Sequence, residues 1–258
     1  MMRFLSSLFT ALLLISLPAA AATAADFWEE AADAKNFGAS LTFASDYVFR
    51  GVSQTDNKPA VQGSFDYKHP AGLALGVWGS NVDDAISRGN IEIDVYAGWG
   101  VTVWERLSVD ASLIYYVYPG SGDDPKKNYL EGHLGVEVPL KEFPLSPKIG
   151  LGYNYSPDFF GEDGDGHYLS ARLDLGLPYE FTLYGLVGYQ WVEGEKSTGK
   201  GAGENGEDGY DYVHWRIGVM RPLLGFQLDL SYQDTDSANF LGRDIADERI
   251  VFSISRTF

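Results

Sequence analysis

The last nine residues, Ile250-Val251-Phe252-Ser253-Ile254-Ser255-Arg256-Thr257-Phe258, alternate with a period of two. Ile250, Phe252, Ile254 and Phe258 share one face, and Ser253, Ser255 and Thr257 share the other, because successive side chains of a strand point to opposite sides. Arg256 interrupts the apolar set. Alternation alone leaves two readings open. A soluble sheet hides its apolar face in a core, whereas a membrane barrel shows that face to lipid and keeps a polar lumen.

The same pattern recurs upstream. Phe37, Ala39, Leu41 and Phe43 oppose Gly38, Ser40, Thr42 and Ala44, and the alternation runs on through Tyr47 and Phe49 against Asp46 and Arg50. Val61, Gly63, Phe65 and Tyr67 oppose Gln62, Ser64, Asp66 and Lys68; Ile91, Ile93 and Val95 oppose Glu92, Asp94 and Tyr96. The periodicity predicts about twelve strands, at 37–48, 59–68, 73–81, 90–101, 107–117, 128–138, 147–156, 167–177, 181–192, 210–220, 225–234 and 247–258. Strands of about ten residues, tilted, cross a bilayer, and an even number suits a bacterial barrel with both chain ends on one side.

The connections sort by parity. After even-numbered strands they are short, as at His69–Gly72, Thr102–Arg106, Pro178–Glu180 and Arg221–Leu224, with a longer proline-marked one at Pro139–Ser146. After odd-numbered strands they are generally longer and rich in Asp, Glu, Gly, Ser and Asn, as at Ser156–Gly166, Glu193–Gly209 and Thr235–Ala246. Short periplasmic turns and long external loops are the habit of an outer-membrane barrel. A soluble sandwich has no reason to sort its loops this way. The terminal strand then settles the sign: it resembles the C-terminal signal by which the barrel-assembly machinery recognises its substrates, with Phe258 as the aromatic end. Arg256 sits near enough to the periplasmic rim to snorkel into the headgroups.

The fold expected is therefore all-β, a single antiparallel transmembrane β-barrel over 37–258. On this parity the lumen receives Asp46, Arg50, Asp66, Glu92, Asp94, Asp110, Glu131, Arg172, Asp174, Arg216, Asp229 and Arg249, with Glu137 and Lys148. Ahead of the barrel, Arg3, the apolar run Phe4–Leu17, and Pro18 with its following alanines read as a signal peptide over 1–25, cleaved near 22–25. The acidic segment Asp26–Asn36 either stays in the periplasm or plugs the barrel. No later stretch approaches about 18 consecutive apolar residues, so no transmembrane helix is expected.

Composition removes several functions. With 19 basic against 36 acidic residues the net charge is −17, which argues against nucleic acid, whose phosphates demand a basic face. With no cysteine the chain has no disulfide framework and no thiolate metal site. Gly194-Glu195-Lys196-Ser197-Thr198-Gly199-Lys200 nearly spells a phosphate-binding loop, but Gly201 replaces the hydroxyl residue, and Gly201, Gly203 and Gly206 have only dinucleotide-like spacing. Neither precedes a helix that would hold phosphate. Asp163-Gly164-Asp165-Gly166, with Asp158 and Glu162, could offer oxygens to calcium but lacks EF-hand spacing. His69, His133, His167 and His214 show no hydrolase arrangement with serine and carboxylate. No catalytic residue, cofactor or metal site is expected.

One further motif is distinctive: Ser45-Asp46-Tyr47-Val48-Phe49-Arg50-Gly51-Val52-Ser53-Gln54-Thr55, followed by Lys58-Pro59-Ala60-Val61-Gln62-Gly63-Ser64-Phe65. It resembles the N-terminal hallmark of the TorF family of porin-like proteobacterial proteins, and the likeness extends loosely over the mature chain. The resemblance implies an outer-membrane barrel of channel type. In the strand reading Asp46 and Arg50 point into the lumen four residues apart, and Gly51 turns the chain into the first external loop. The pair either narrows the pore mouth or forms a structural network that holds register. The expected function is passive diffusion of small polar or cationic solutes. Its rivals are a non-conducting structural or adhesive barrel and, behind it, a lipid-modifying enzyme. The expected partners are outer-membrane lipids, lipopolysaccharide and the barrel-assembly machinery.

Overall fold

The computed structural model describes residues 31–104, 106–122, 126–194, 209–237 and 243–258. The signal-peptide reading of 1–25 falls outside them. Residues 34–258 form one compact unit.

The strands, in chain order, are β1 (Phe37–Ala44), β2 (Val48–Phe49), β3 (Val52–Ser53), β4 (Ala60–Lys68), β5 (Leu73–Asn81), β6 (Ile91–Val103), β7 (Leu107–Val117), β8 (Tyr129–Pro139), β9 (Lys148–Ser156), β10 (Gly166–Gly176), β11 (Thr182–Val192), β12 (Tyr210–Leu223), β13 (Phe226–Thr235) and β14 (Arg249–Thr257). Twelve of these close into a barrel in the order β1-β14-β13-β12-β11-β10-β9-β8-β7-β6-β5-β4, while β2 and β3 make a separate two-stranded hairpin. Every barrel neighbour is antiparallel. Closure runs from Ser40 opposite Thr257 to Ala44 opposite Ser253. At the end of the seam the Phe258 N–H donates to the Ala39 carbonyl at 2.8 Å and the Ala39 N–H returns the bond at 3.3 Å. No edge is left to recruit another chain.

The sign of the alternation is plain from exposure. Phe43, Phe65, Val95, Leu113, Leu151, Leu169 and Ile217 lie on the outer face and are 51–57% exposed. An apolar belt of that extent on a closed barrel belongs in hydrocarbon, and aromatic rings mark its two borders. Trp99, Trp104, Phe143, Tyr179 and Phe258 ring the end with the short turns, and Tyr115, Tyr155, Tyr189, Trp215 and Tyr232 ring the end with the long loops. Arg256 is exposed at the short-turn rim, its guanidinium carbon 5.3 Å from the Phe226 ring centre and 5.2 Å from that of Phe258. The barrel thus sits in a bilayer of outer-membrane type, with both ends of its strand series on the short-turn side.

Eleven of the expected strands lie where the periodicity puts them, within about three residues. The first does not. β1 stops at Ala44, four residues short of the expected 48, and the chain turns inward. Phe49 pairs with Val52, so Arg50 and Gly51 are the two central residues of a tight turn. Their φ values of 48° and 85° are both positive, as a type I′ hairpin requires. Arg50 is therefore a turn residue and not a strand residue, and Gly51 does not lead outward. A Cβ on Gly51 would meet Thr235 Cγ2 at 2.6 Å and His214 Cβ at 2.7 Å, so glycine lets the hairpin tip press against β12 and β13.

Candidate functional site: the barrel lumen

The inward hairpin of the first loop organises the lumen. Asp46 opens it, accepting hydrogen bonds from Ser53 Oγ at 2.6 Å and Thr55 Oγ1 at 2.8 Å, and pairs with Arg249 Nη1 of β14 at 3.1 Å. Tyr47 donates its hydroxyl to Glu92 of β6 at 3.0 Å. At the tip, Arg50 reaches across the lumen. Its Nη2 lies 2.6 Å from Glu131 Oε1 of β8, and Nη1 donates to Gln190 Oε1 of β11 at 2.9 Å. The guanidinium also rests on the Tyr168 ring of β10, 4.2 Å from its centre. Asn154 and Tyr116 complete the bonds to Glu131, at 2.8 Å and 3.3 Å. One arginine thus ties the first loop to strands on the far side of the barrel.

Aromatic packing fills the space around this network. Tyr116, Tyr118, Tyr129 and Phe159 are buried together, and Tyr47, Phe49 and Phe160 pack on them. Tyr116 and Tyr129 stack at 4.3 Å with 9° between their planes, an arrangement that adds about 0.5–1.5 kcal/mol to simple burial. Between hairpin and wall remains a cavity of about 60 Å³, lined by Phe49, Arg50, Val52, Tyr129, Gln190 and Tyr212. At about 10–15 Å³ of such volume per water it has room for a few waters near Arg50 and Gln190.

Burial falls steeply from one end of the lumen to the other. The side chains of Arg50 and Glu131 are 6% and 1% exposed. Toward the short-turn end Asp110 rises to 54%, and Glu137 and Lys148 to 45% and 42%. Along β7 to β9 the lumen is open toward the short-turn end, and toward the long-loop end it closes on the hairpin plug.

The expected lumen residues fall into two classes. All four arginines are neutralised: besides Arg50 with Glu131 and Arg249 with Asp46, Arg172 pairs with Asp174 at 2.7 Å and Arg216 with Asp229 at 2.8 Å. Arg172 and Arg216 flank the buried Tyr184 ring at 4.3 Å and 5.4 Å. Lys148 bridges Glu137 and Asp174, and Asp110 faces His133 Nε2 at 3.3 Å. Three acids have no basic partner among the described residues. Asp66 accepts from the hydroxyls of Tyr96 and Ser64, Glu92 keeps Oε2 unbonded, and Asp94 keeps Oδ1 unbonded. These three lie on β4 and β6, three to six strands round the wall from the arginine pairs on β10, β12 and β13.

Sequence reasoning missed the tyrosines. Tyr116, Tyr129, Tyr168, Tyr184 and Tyr212 all point inward and are buried. Runs such as Ile114-Tyr115-Tyr116 carry aromatic residues on both faces, so the inner one does not break the pattern. Of the acidic run Glu162–Gly166, among the described residues only Asp165 converges with two other His or carboxylate ligands, and the two glycine-rich nucleotide-like matches lie largely within 195–208, outside the described residues.

Residues 29–258 match the model of a family described as "Bacterial protein of unknown function (Gcw_chp)". The chain belongs to the Gcw_chp family. No curated protein matches it in sequence. Among solved structures it is similar to the KdgM porin in complex with disordered oligogalacturonate, at 8% identity and a TM-score of 0.55, over 86% of this chain and 99% of that one. It is also similar to the NanC porin, at 9% identity and a TM-score of 0.50, over 86% and 98%. At such identity the likeness is one of fold: this Gcw_chp chain has the barrel of outer-membrane porins.

Proposed function

We propose that the protein is a narrow porin-like channel of the bacterial outer membrane, passing small polar and cationic solutes by diffusion. The observation that carries this is the imbalance of the lumen. Its arginines are all tied to acids, while half-buried Asp66 of β4 and exposed Asp110 of β7 face the open stretch of the lumen with no arginine or lysine partner among the described residues. Carboxylates beside a narrow wet path lower the energy of a cation and raise that of an anion. A polyanion such as oligogalacturonate, which accompanies the KdgM porin, would meet this stretch unfavourably. The finer family reading follows the motif Ser45–Thr55, whose Asp46 and Arg50 anchor the inward hairpin and which supports placing the chain with the TorF porins. Export by a signal peptide over 1–25, assembly through the Phe258 end and contact with lipopolysaccharide belong to the same reading.

The plugged outer half favours a second reading, a barrel that does not conduct until the hairpin leaves. Planar-bilayer recordings of the purified protein separate the two. Steps of conductance with a cation-selective reversal potential support the channel. A silent bilayer that conducts only after residues 47–54 are replaced by a short glycine-serine linker supports the closed barrel.

A further inference from the structure

The outer face of the barrel carries a cluster that the lumen does not use. His167 of β10 is the cross-strand partner of Trp191 of β11, and Gly166 is that of Val192. One step beyond, the Glu193 N–H donates to the Asp165 carbonyl at 3.0 Å. By parity Asp165 and Glu193 oppose each other on the same outward face as His167. One carboxylate oxygen from each and a ring nitrogen of His167 all lie within 4.8 Å of one another. Like charges directly opposed across a ladder destabilise it, so this pair calls for a counter-charge.

His167 is held as a ligand would be. Its Nδ1 meets the Tyr153 hydroxyl at 2.7 Å, its ring stacks on Trp191 at 4.6 Å with 11° between planes, and the Tyr155 ring closes the other side at 5.1 Å. A metal-ligating histidine usually donates its other ring N–H to an oxygen, which fixes its tautomer and orientation; in the tautomer whose Nδ1–H donates to the Tyr153 oxygen, the Nε2 lone pair is left for the ion. Glu193 is exposed and free to swing in, while Asp165 and His167 are half-buried.

We propose that Asp165, His167 and Glu193 bind a divalent transition metal of the zinc class at the outer rim of the barrel. One imidazole and two carboxylates suit a borderline ion with Zn–N and Zn–O distances of about 2.0–2.2 Å, whereas calcium demands six or more oxygens. Three protein ligands leave a further position to water. The ion cancels the Asp165–Glu193 repulsion and clasps the fourth external loop to the fifth, independently of what the lumen conducts.

The test is a Zn²⁺ titration by calorimetry on tag-free barrel folded in detergent, with Co²⁺ absorption as a second probe. One saturable site is expected, weakened at least tenfold in His167→Gln and in Glu193→Gln. A hundredfold excess of Ca²⁺ leaves it occupied. Tyr153→Phe weakens it by about tenfold through the histidine alone. Glu193 is exposed, so its substitution leaves the fold intact, verified by faster migration before boiling, and it is the deciding variant. Absence of saturable binding, unchanged affinity in Glu193→Gln, or displacement by equimolar Ca²⁺ overturns the assignment.

Discussion

At the scale of single residues the protein depends on Arg50 more than on any other lumen side chain. Removing it leaves Glu131 buried, charged and unpaired. Breaking one partner of a buried pair costs about 3–5 kcal/mol, against little for replacing both by apolar groups. Arg50→Ala should therefore lower the urea midpoint of the folded barrel in micelles by much more than the Arg50→Ala/Glu131→Ala double variant does. An equal loss in the two would mean that the pair is not coupled. Charge selectivity belongs to other residues. Neutralising Asp46 is a poor test of it, because Arg249 is then left without its partner. Asp66→Asn with Asp110→Asn removes charge on the open stretch of the lumen that no arginine or lysine balances, and should shift the reversal potential in a salt gradient toward zero. The shift should persist at high salt, because charges inside the lumen are screened less than those on loops beyond a Debye length of about 8 Å at physiological salt. Anion selectivity in the parent protein would reverse the assignment of the conducting wall.

At the scale of elements the decisive piece is the first loop, which is clamped on its outer surface as well as at its tip. Lys58 lies 3.2 Å from Asp56 and 2.9 Å from Asp83, and Arg243 lies 2.6 Å from Asp56. Hydrogen bonds from Arg243 and then Lys58 hold the Asp56 carboxyl below its ordinary range, and the bond from Lys58 does the same for Asp83. A carboxyl depressed in the folded state stabilises that state fully above its unfolded value, about 3.9, and loses the contribution as pH falls through the lower folded value. The clamp should thus be intact from neutral pH down to about 5, begin to weaken toward about 4, and be lost only as the pH falls further through the depressed folded values. Lowering the pH on the loop side alone should then raise open-state noise, and Asp56→Asn should bring that noise to neutral pH. The same loop marks the limit of what the sequence makes legible. Period two exposes the twelve strands, because lipid outside and water inside impose opposite preferences on alternate residues. From Ser45 to Phe49 the alternation continues unbroken, yet Tyr47 and Phe49 find an apolar home in the tyrosine cluster and not in lipid. Local pattern cannot distinguish two apolar destinations; the Arg50-Gly51 turn chemistry was the available signal. Arg172 and Asp174 sit two residues apart on one face of β10, so their pairing is legible, but the partners of Arg50, Arg216 and Arg249 on other elements were hidden, since parity assigns a face and not a partner.

At the scale of the whole molecule, a sheet with no free edge resists detergent, because every backbone group is bonded within the wall. The unboiled protein should migrate faster on electrophoresis than the boiled one, and identical migration of folded material would contradict closure. Deleting Phe258 should leave secretion into the periplasm intact and lower the amount recovered in the outer membrane. Normal recovery would mean that the terminal aromatic is not an address. The mutual hydrogen bonds between Ala39 and Phe258 have one more consequence, a topological one. The polypeptide is already a circle in all but its covalent bond, so where it begins and ends is arbitrary for the wall. Joining Phe258 to Phe37 through a few glycines and recutting at Leu140–Pro147 keeps twelve strands with both new termini on the original side. Such a circular permutant should refold in detergent to a heat-modifiable barrel. Its new last strand ends in Val138-Pro139 and not in phenylalanine, so in cells it should be stranded in the periplasm: delivery would be uncoupled from architecture.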